Sequence, residues 1–89
     1  MNMEDFLKSS EKLVRDYAIE HMDKSDPEHS FDVFTVWACR TLQNSKALLS
    51  TTLPDGMYYE VTYNGDKCEL YLDAYKKFEN RTIAVEGVR

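Results

Sequence analysis

Apolar and polar residues alternate along Met57-Tyr58-Tyr59-Glu60-Val61-Thr62-Tyr63 and again along Lys67-Cys68-Glu69-Leu70-Tyr71-Leu72, with Asn64-Gly65 near the centre. A period of two marks strands that are buried on one face. Asn-Gly suits a two-residue type I′ turn, which demands positive φ at both positions. The hairpin expected from this turn pairs Tyr63 with Asp66, Val61 with Cys68, Tyr59 with Leu70 and Met57 with Leu72. One face is then apolar, and the other carries Thr62 with Lys67, Glu60 with Glu69, and Tyr58 with Tyr71. A slip of one residue would mix the two faces, which is costly where one of them is buried.

The remaining elements follow from the same patterning. Met3, Phe6, Leu7, Ser10, Leu13, Val14, Tyr17, Ala18 and His21 recur at helical spacing, predicting an amphipathic helix over about 3–23 with Asn2 as N-cap and Glu4 and Asp5 at the positive end of its dipole. Ser25-Asp26-Pro27-Glu28-His29-Ser30 reads as a linker, because proline ends a helix and small polar residues favour turns. A β-branched and aromatic run over 31–42 predicts a first strand that is apolar on both faces. Phe31, Val33, Trp37 and Cys39 point one way, and Phe34, Val36, Ala38 and Leu42 the other, as in a strand covered on both sides.

Gln43-Asn44-Ser45 reads as a turn, 46–53 as a second strand and Pro54-Asp55-Gly56 as another turn, the proline and glycine each suiting defined turn positions. Pairing of Leu53 with Met57, Thr51 with Tyr59 and Leu49 with Val61 continues the apolar face onto the second strand. With strands over 57–63 and 67–75, the prediction is an α+β fold: an N-terminal helix packed on a four-stranded antiparallel meander in two layers. In the tail, 76–89, a helical turn is expected near Lys76–Asn80. Ile83 and Val85 are candidates to fold back over the sheet's other face, which otherwise awaits a partner or a second copy of the chain.

At 89 residues the chain reads as one domain, of a size that buries only ~60% of its unfolded surface. A net charge of -5 argues against a general electrostatic attraction to DNA or anionic membranes and favours a basic protein partner. The N-terminus lacks a basic, then apolar, leader pattern, and no apolar run is long enough to span a bilayer, so a cytoplasmic protein is expected. Cys39 and Cys68 lack metal or redox spacing and read as buried free thiols in a reducing compartment. Asn80-Arg81-Thr82 has the form of a glycosylation acceptor, which carries no meaning in that compartment.

The chemistry to be placed centres on the polar face of the hairpin. Glu60 opposite Glu69, with Asp73 farther along the strand, forms an acidic strip flanked by Tyr58, Tyr71 and Tyr75. Like charges directly opposed are unfavourable, so the strip is either a solvated face screened by water and salt, a docking surface for a basic partner, or an oxygen-ligand site for a divalent cation. Trp37 is either core or a stacking platform for bases or a small ligand. His21 and His29 near Asp23, Asp26 and Glu28 match no metal-ligand spacing. Neither a nucleophile with its base nor a phosphate loop is legible among three glycines and two histidines, so no catalytic residue, cofactor or metal is assigned and a non-enzymatic role is expected.

The runs Val33-Phe34-Thr35-Val36-Trp37-Ala38-Cys39-Arg40-Thr41-Leu42-Gln43-Asn44-Ser45-Lys46-Ala47-Leu48-Leu49-Ser50-Thr51-Thr52, Asp55-Gly56-Met57-Tyr58-Tyr59-Glu60-Val61-Thr62-Tyr63-Asn64-Gly65-Asp66-Lys67 and Tyr71-Leu72-Asp73-Ala74-Tyr75-Lys76-Lys77 resemble a family of small uncharacterised proteins encoded by phages and prophages of Gram-positive bacteria. The segment from Trp37 to Ala47 is the most specific part. The resemblance brings no catalytic or binding residue with it. It implies a context, in which small acidic phage proteins bind host factors or the phage's own replication machinery. The resulting expectation is a phage accessory protein acting in the infected or lysogenic bacterium by protein binding through Glu60, Glu69, Asp73, Tyr58, Tyr71 and Tyr75. Its alternatives are a small-ligand or nucleotide-binding module using Trp37, and a structural homodimer.

Overall fold

The computed structural model describes residues 1–22 and 30–87. Helix α1, Met3–His21, is followed by strands β1, Val33–Thr41, β2, Asn44–Thr51, β3, Met57–Asn64, and β4, Glu69–Lys76. The strands form one antiparallel sheet in the order β1-β2-β3-β4, so the α+β meander expected from the patterning is the fold. Asn2 caps α1 by accepting a 2.7 Å hydrogen bond from the Asp5 amide, satisfying one of the amides a helix start leaves open. The helix ends at His21 with Met22 as its C-cap. The later end expected at Asp23 or Lys24, and all of the predicted linker but Ser30, lie outside the described residues.

The apolar stripe of α1 lies on one face of the sheet. Phe6 and Val14 join Ala47, Leu49, Tyr59 and Val61 in the buried core, and Tyr17 meets Tyr59 edge to face at 5.6 Å. Ser10 sits in the same buried stripe because its hydroxyl donates to the Phe6 carbonyl at 2.7 Å, avoiding the cost of an unpaired buried hydroxyl. Burial pushes the Tyr59 phenol above its ordinary pKa, with the Asp55 charge adding to the effect. The molecule measures 18 Å along its shortest axis, room for a helix of ~10–12 Å diameter on a single sheet. No third layer covers the sheet's other face among the described residues.

The registers differ from those expected. Tyr63 pairs with Leu70, Val61 with Leu72, Glu60 with Asp73 and Tyr58 with Tyr75, so the two-residue Asn64-Gly65 turn is replaced by a four-residue loop, Gly65–Cys68, between Asn64 and Glu69. Asn64 acts as an acceptor instead of taking positive φ. Its Oδ1 receives the amides of Asp66 and Lys67 at 3.0 and 3.2 Å, and the left-handed residue is Cys68 at φ 52°. The longer loop replaces the Val61–Cys68 pair with Val61–Leu72. Cross-strand pairs of this apolar kind are the unit of sheet stabilisation. β2 and β3 are offset as well, with Leu49 opposite Tyr59 and Ala47 opposite Val61. Both offsets are even numbers of residues, so every side chain keeps its expected face.

β1 does change faces, because a bulge between Thr35 and Trp37 places Thr35 opposite Leu49 and Trp37 opposite the next residue, Leu48. One extra residue inverts the alternation beyond it. Phe34 therefore shares a face with Trp37 and Cys39, contrary to the expected grouping. The β1–β2 connection is Leu42-Gln43, not Gln43-Asn44-Ser45, since Thr41 already pairs with Asn44. Leu42 stands at φ 57° and is 84% exposed, in a turn position that primed hairpin geometry reserves for glycine. Leu42→Gly is expected to stabilise the fold by ~0.5–1 kcal/mol, the relief of a left-handed side chain less the added freedom of the unfolded chain. A raised urea midpoint would record it; an unchanged or lowered one would refute it.

Both thiols are free and exposed, not buried as expected, since Cys68 lies in the loop and Cys39 on the uncovered face. The tail after β4 holds one more ladder bond, from the Lys77 amide to the Gly56 carbonyl at 2.7 Å, and then runs without helix or strand through Gly87. The helical turn expected near Lys76–Asn80 is not formed. Ile83 and Val85 do not fold back on the sheet but remain 79% and 75% exposed.

Candidate protein-binding face

Sheet register builds the uncovered face in rows that run across all four strands. Phe34, Ser50, Tyr58 and Tyr75 form the first row, Trp37, Leu48, Glu60 and Asp73 the second, and Cys39, Lys46, Thr62 and Tyr71 the third. Their neighbours along each strand, such as Ala47, Leu49, Tyr59 and Val61, point to the helix. The face thus has an apolar half on β1 and β2, where Phe34, Val36 and Trp37 are exposed, and an acidic, tyrosine-rich half on β3 and β4.

All six residues expected to meet a partner, Tyr58, Glu60, Glu69, Tyr71, Asp73 and Tyr75, lie on this face. Trp37, read separately as a ligand platform, lies on it too, in the same row as Glu60 and Asp73. It is 42% exposed, so the core placement weighed for it does not hold. The expected opposition of Glu60 and Glu69 is corrected to Glu60 and Asp73, with Glu69 at the far end of β4 opposite Asn64.

Charge on the face is partly compensated by neighbours that sequence reasoning did not single out. Lys46 reaches Glu60 at 3.1 Å. Its ammonium is held above the ordinary lysine pKa, first by the hydrogen bond to Glu60 and by that carboxylate's charge, with smaller contributions from Tyr75 and Asp73. The Tyr71 hydroxyl donates to Glu69, which raises the Tyr71 pKa. With Glu60 tied to lysine and Glu69 to tyrosine, the acidic strip does not assemble as a ligand set, and the described residues contain no cluster of three or more His, Cys, Asp or Glu suited to a metal ion. Asp73, at the β4 end of the second row, forms no salt bridge among the described residues.

Phe34, Leu48 and Lys46 are the candidates on the face that the sequence reading did not single out. Lys46 and Leu48 could have been found from the parity of β2, given that Ala47 and Leu49 face the core. Phe34 depended on the bulge, for which the sequence carries no signal.

Other candidate chemistry is not brought together. His21 stacks on Tyr17 with ring centroids 4.1 Å apart, and its Nδ1 lies 2.9 Å from the Tyr17 carbonyl. His29 is outside the described residues. A concavity of about 520 Å³ lies between the end of α1 and the β2–β3 loop, against Tyr17, His21, Leu53, Met57, Tyr59 and Lys76; it is on the helix side, away from the rows above. No described helix is long and apolar enough to cross a membrane.

The model of a family of unknown function, DUF6275, matches residues 7–85, and the chain belongs to that family. No curated protein and no solved structure matches it. The matched span runs from the first turns of α1 through the exposed tail as far as Val85.

Proposed function

We propose that this DUF6275 protein is a non-enzymatic accessory protein of phages and prophages of Gram-positive bacteria, working in the bacterial cytoplasm by binding another protein through the open face of its sheet. The observation that carries this reading is the face itself. Trp37 on β1 and Tyr75 on β4, 42% and 52% exposed, flank the inner strands that carry the Lys46–Glu60 pair, with Asp73 beside Tyr75 on β4, and nothing in the described chain covers them. Aromatic residues give large contact area at low entropic cost and dominate binding hot spots. The acidic half of the face favours partners that present lysine or arginine. The phage context rests on the sequence resemblance alone.

The test is affinity capture from infected cells with the wild-type chain and with Asp73→Lys/Glu69→Lys, a variant that leaves the Lys46–Glu60 pair in place. Capture of a specific protein by the wild type and its loss in the variant is the expected outcome. Retention of every captured protein by the variant would remove the acidic half of the face from the reading. A bacterial defence protein with a basic nucleic-acid site is one partner of the required chemistry, and expression of the chain in a defended strain would then restore phage plating.

The exposure of Trp37 also favours a second reading, a flat platform on which a base or other planar ligand stacks. Quenching of the single tryptophan's fluorescence by a nucleotide panel would support it. A signal indifferent to all of them would leave the protein-binding reading alone.

A further inference from the structure

The uncovered face and the uncovered tail belong to the same chain, and their chemistries match. Beyond Lys77 the backbone forms neither helix nor strand through Gly87, and Phe78, Ile83 and Val85 are 92%, 79% and 75% exposed. A side chain that contacts so little contributes nothing to its own fold, yet the family match runs through Val85. In an extended segment Arg81, Ile83 and Val85 project to one side. The second row of the face reads Asp73, Glu60, Leu48, Trp37 from β4 to β1, an acidic end followed by an apolar one. Three strand spacings of ~4.8 Å carry Asp73 to Trp37 in ~14 Å, and four extended residues of ~3.3 Å carry Arg81 to Val85 in ~13 Å. A tail laid across the sheet therefore brings Arg81 over the carboxylates while Ile83 and Val85 reach Leu48 and Trp37.

We infer that two copies of this chain exchange tails, each laying Arg81, Ile83 and Val85 across the partner's open sheet face, with Arg81 toward Asp73 and Glu60 and the aliphatic pair on Leu48 and Trp37. The inference rests on the reading of this face as a protein-binding surface and names what occupies it in the free protein. The tail brings to Asp73 and Glu60 a charge opposite to their own. Arg81 is free to do so, since its only ion pair among the described residues, to Glu79 at 3.0 Å, is exposed on both sides and such pairs hold weakly. A return of the tail onto its own sheet needs a tight reversal just after Lys77, and no glycine or proline occurs between Lys76 and Glu86. A heterologous partner of the face then competes with the tail.

The experiment uses the full chain. Light scattering across a concentration series is expected to show a dimer. Arg81→Glu weakens it about tenfold by turning one attraction into a repulsion, and Arg81→Glu combined with Asp73→Arg restores it. Topology is read by cross-linking Cys39, beside Trp37 on the face, to a cysteine placed by Val85→Cys in a Cys68→Ser background, using a short bifunctional thiol reagent. A covalent dimer linked between positions 39 and 85 is expected. The same link within a single chain, or a monomer at every concentration, overturns the exchange. A dimer that withstands Arg81→Glu while partner capture is lost in the Asp73→Lys/Glu69→Lys variant would also overturn it, and would leave the protein-binding reading standing.

Discussion

Phe6→Ala is expected to remove ~3–5 kcal/mol of stability, the usual range for emptying a buried phenylalanine site. Phe6 is fully buried, in the core cluster with Leu49, Tyr59 and Val61, and it is the largest fully buried side chain of α1. A helix of 19 residues draws most of its stability in a protein from packing of its apolar face and not from its own propensity, so loss of this anchor loosens the whole layer. At 89 residues the fold has a total stability of ~4–13 kcal/mol. The substitution therefore removes roughly a quarter of the margin or more, and at ~4–8 °C per kcal/mol the melting temperature falls by ~12 °C or more. Phe78→Ala is the control: with 92% of that side chain exposed, its effect on the fold of one isolated chain should stay within ~0.5 kcal/mol. Thermal and urea unfolding followed by circular dichroism compares the two. Equal melting temperatures would mean that α1 does not dock as described.

The faces of β2, β3 and β4 were legible in the sequence because they depend only on parity. The hairpin loop has four residues where Asn64-Gly65 suggested two, and β3 is offset from β2 by a further even step. Neither change moves Val61, Leu70 or Tyr59 out of the core face, nor Tyr58, Glu60, Tyr71 and Asp73 out of the open one. Partner residues are another matter, since pairing depends on loop length. Asn64 can serve a turn either by taking positive φ or by accepting amides through its side chain, and the choice of the second moved Glu60 from Glu69 to Asp73.

β1 is where the pattern misled. An apolar run on both faces looks like a strand sandwiched between two layers, yet among the described residues only the helix side is covered. The bulge near Val36 brought Phe34 and Trp37 onto the same face, concentrating there the apolar surface that the unbroken alternation divides between two. The composition of β1 suits a strand covered twice, and the described residues supply one cover. Large exposed apolar patches on a small protein mark sites of interaction, and this mismatch between a strand's composition and its surroundings is the physical ground for placing function on the open face.

Trp37→Ala is accordingly expected to separate binding from folding. As the aromatic of the second row, at its β1 end, Trp37 has the character of a hot spot, and truncation should weaken capture of the proposed partner by ~30-fold or more, equivalent to at least ~2 kcal/mol. Its side chain is 42% exposed where Phe6 is fully buried, so the melting temperature should fall by less than half as much as in Phe6→Ala. Trp37→Phe keeps an aromatic surface and should retain most of the affinity. The acidic residues at the other end of that row contribute differently: rim charges act on encounter rate and salt dependence more than on residence time, so Asp73→Asn should slow association at low salt while leaving dissociation nearly unchanged. Surface plasmon resonance on the captured partner distinguishes these effects. Loss of affinity in Trp37→Ala that merely tracks its loss of melting temperature, or a dissociation rate that Trp37→Ala leaves at the wild-type value, would move the contact surface elsewhere on the molecule.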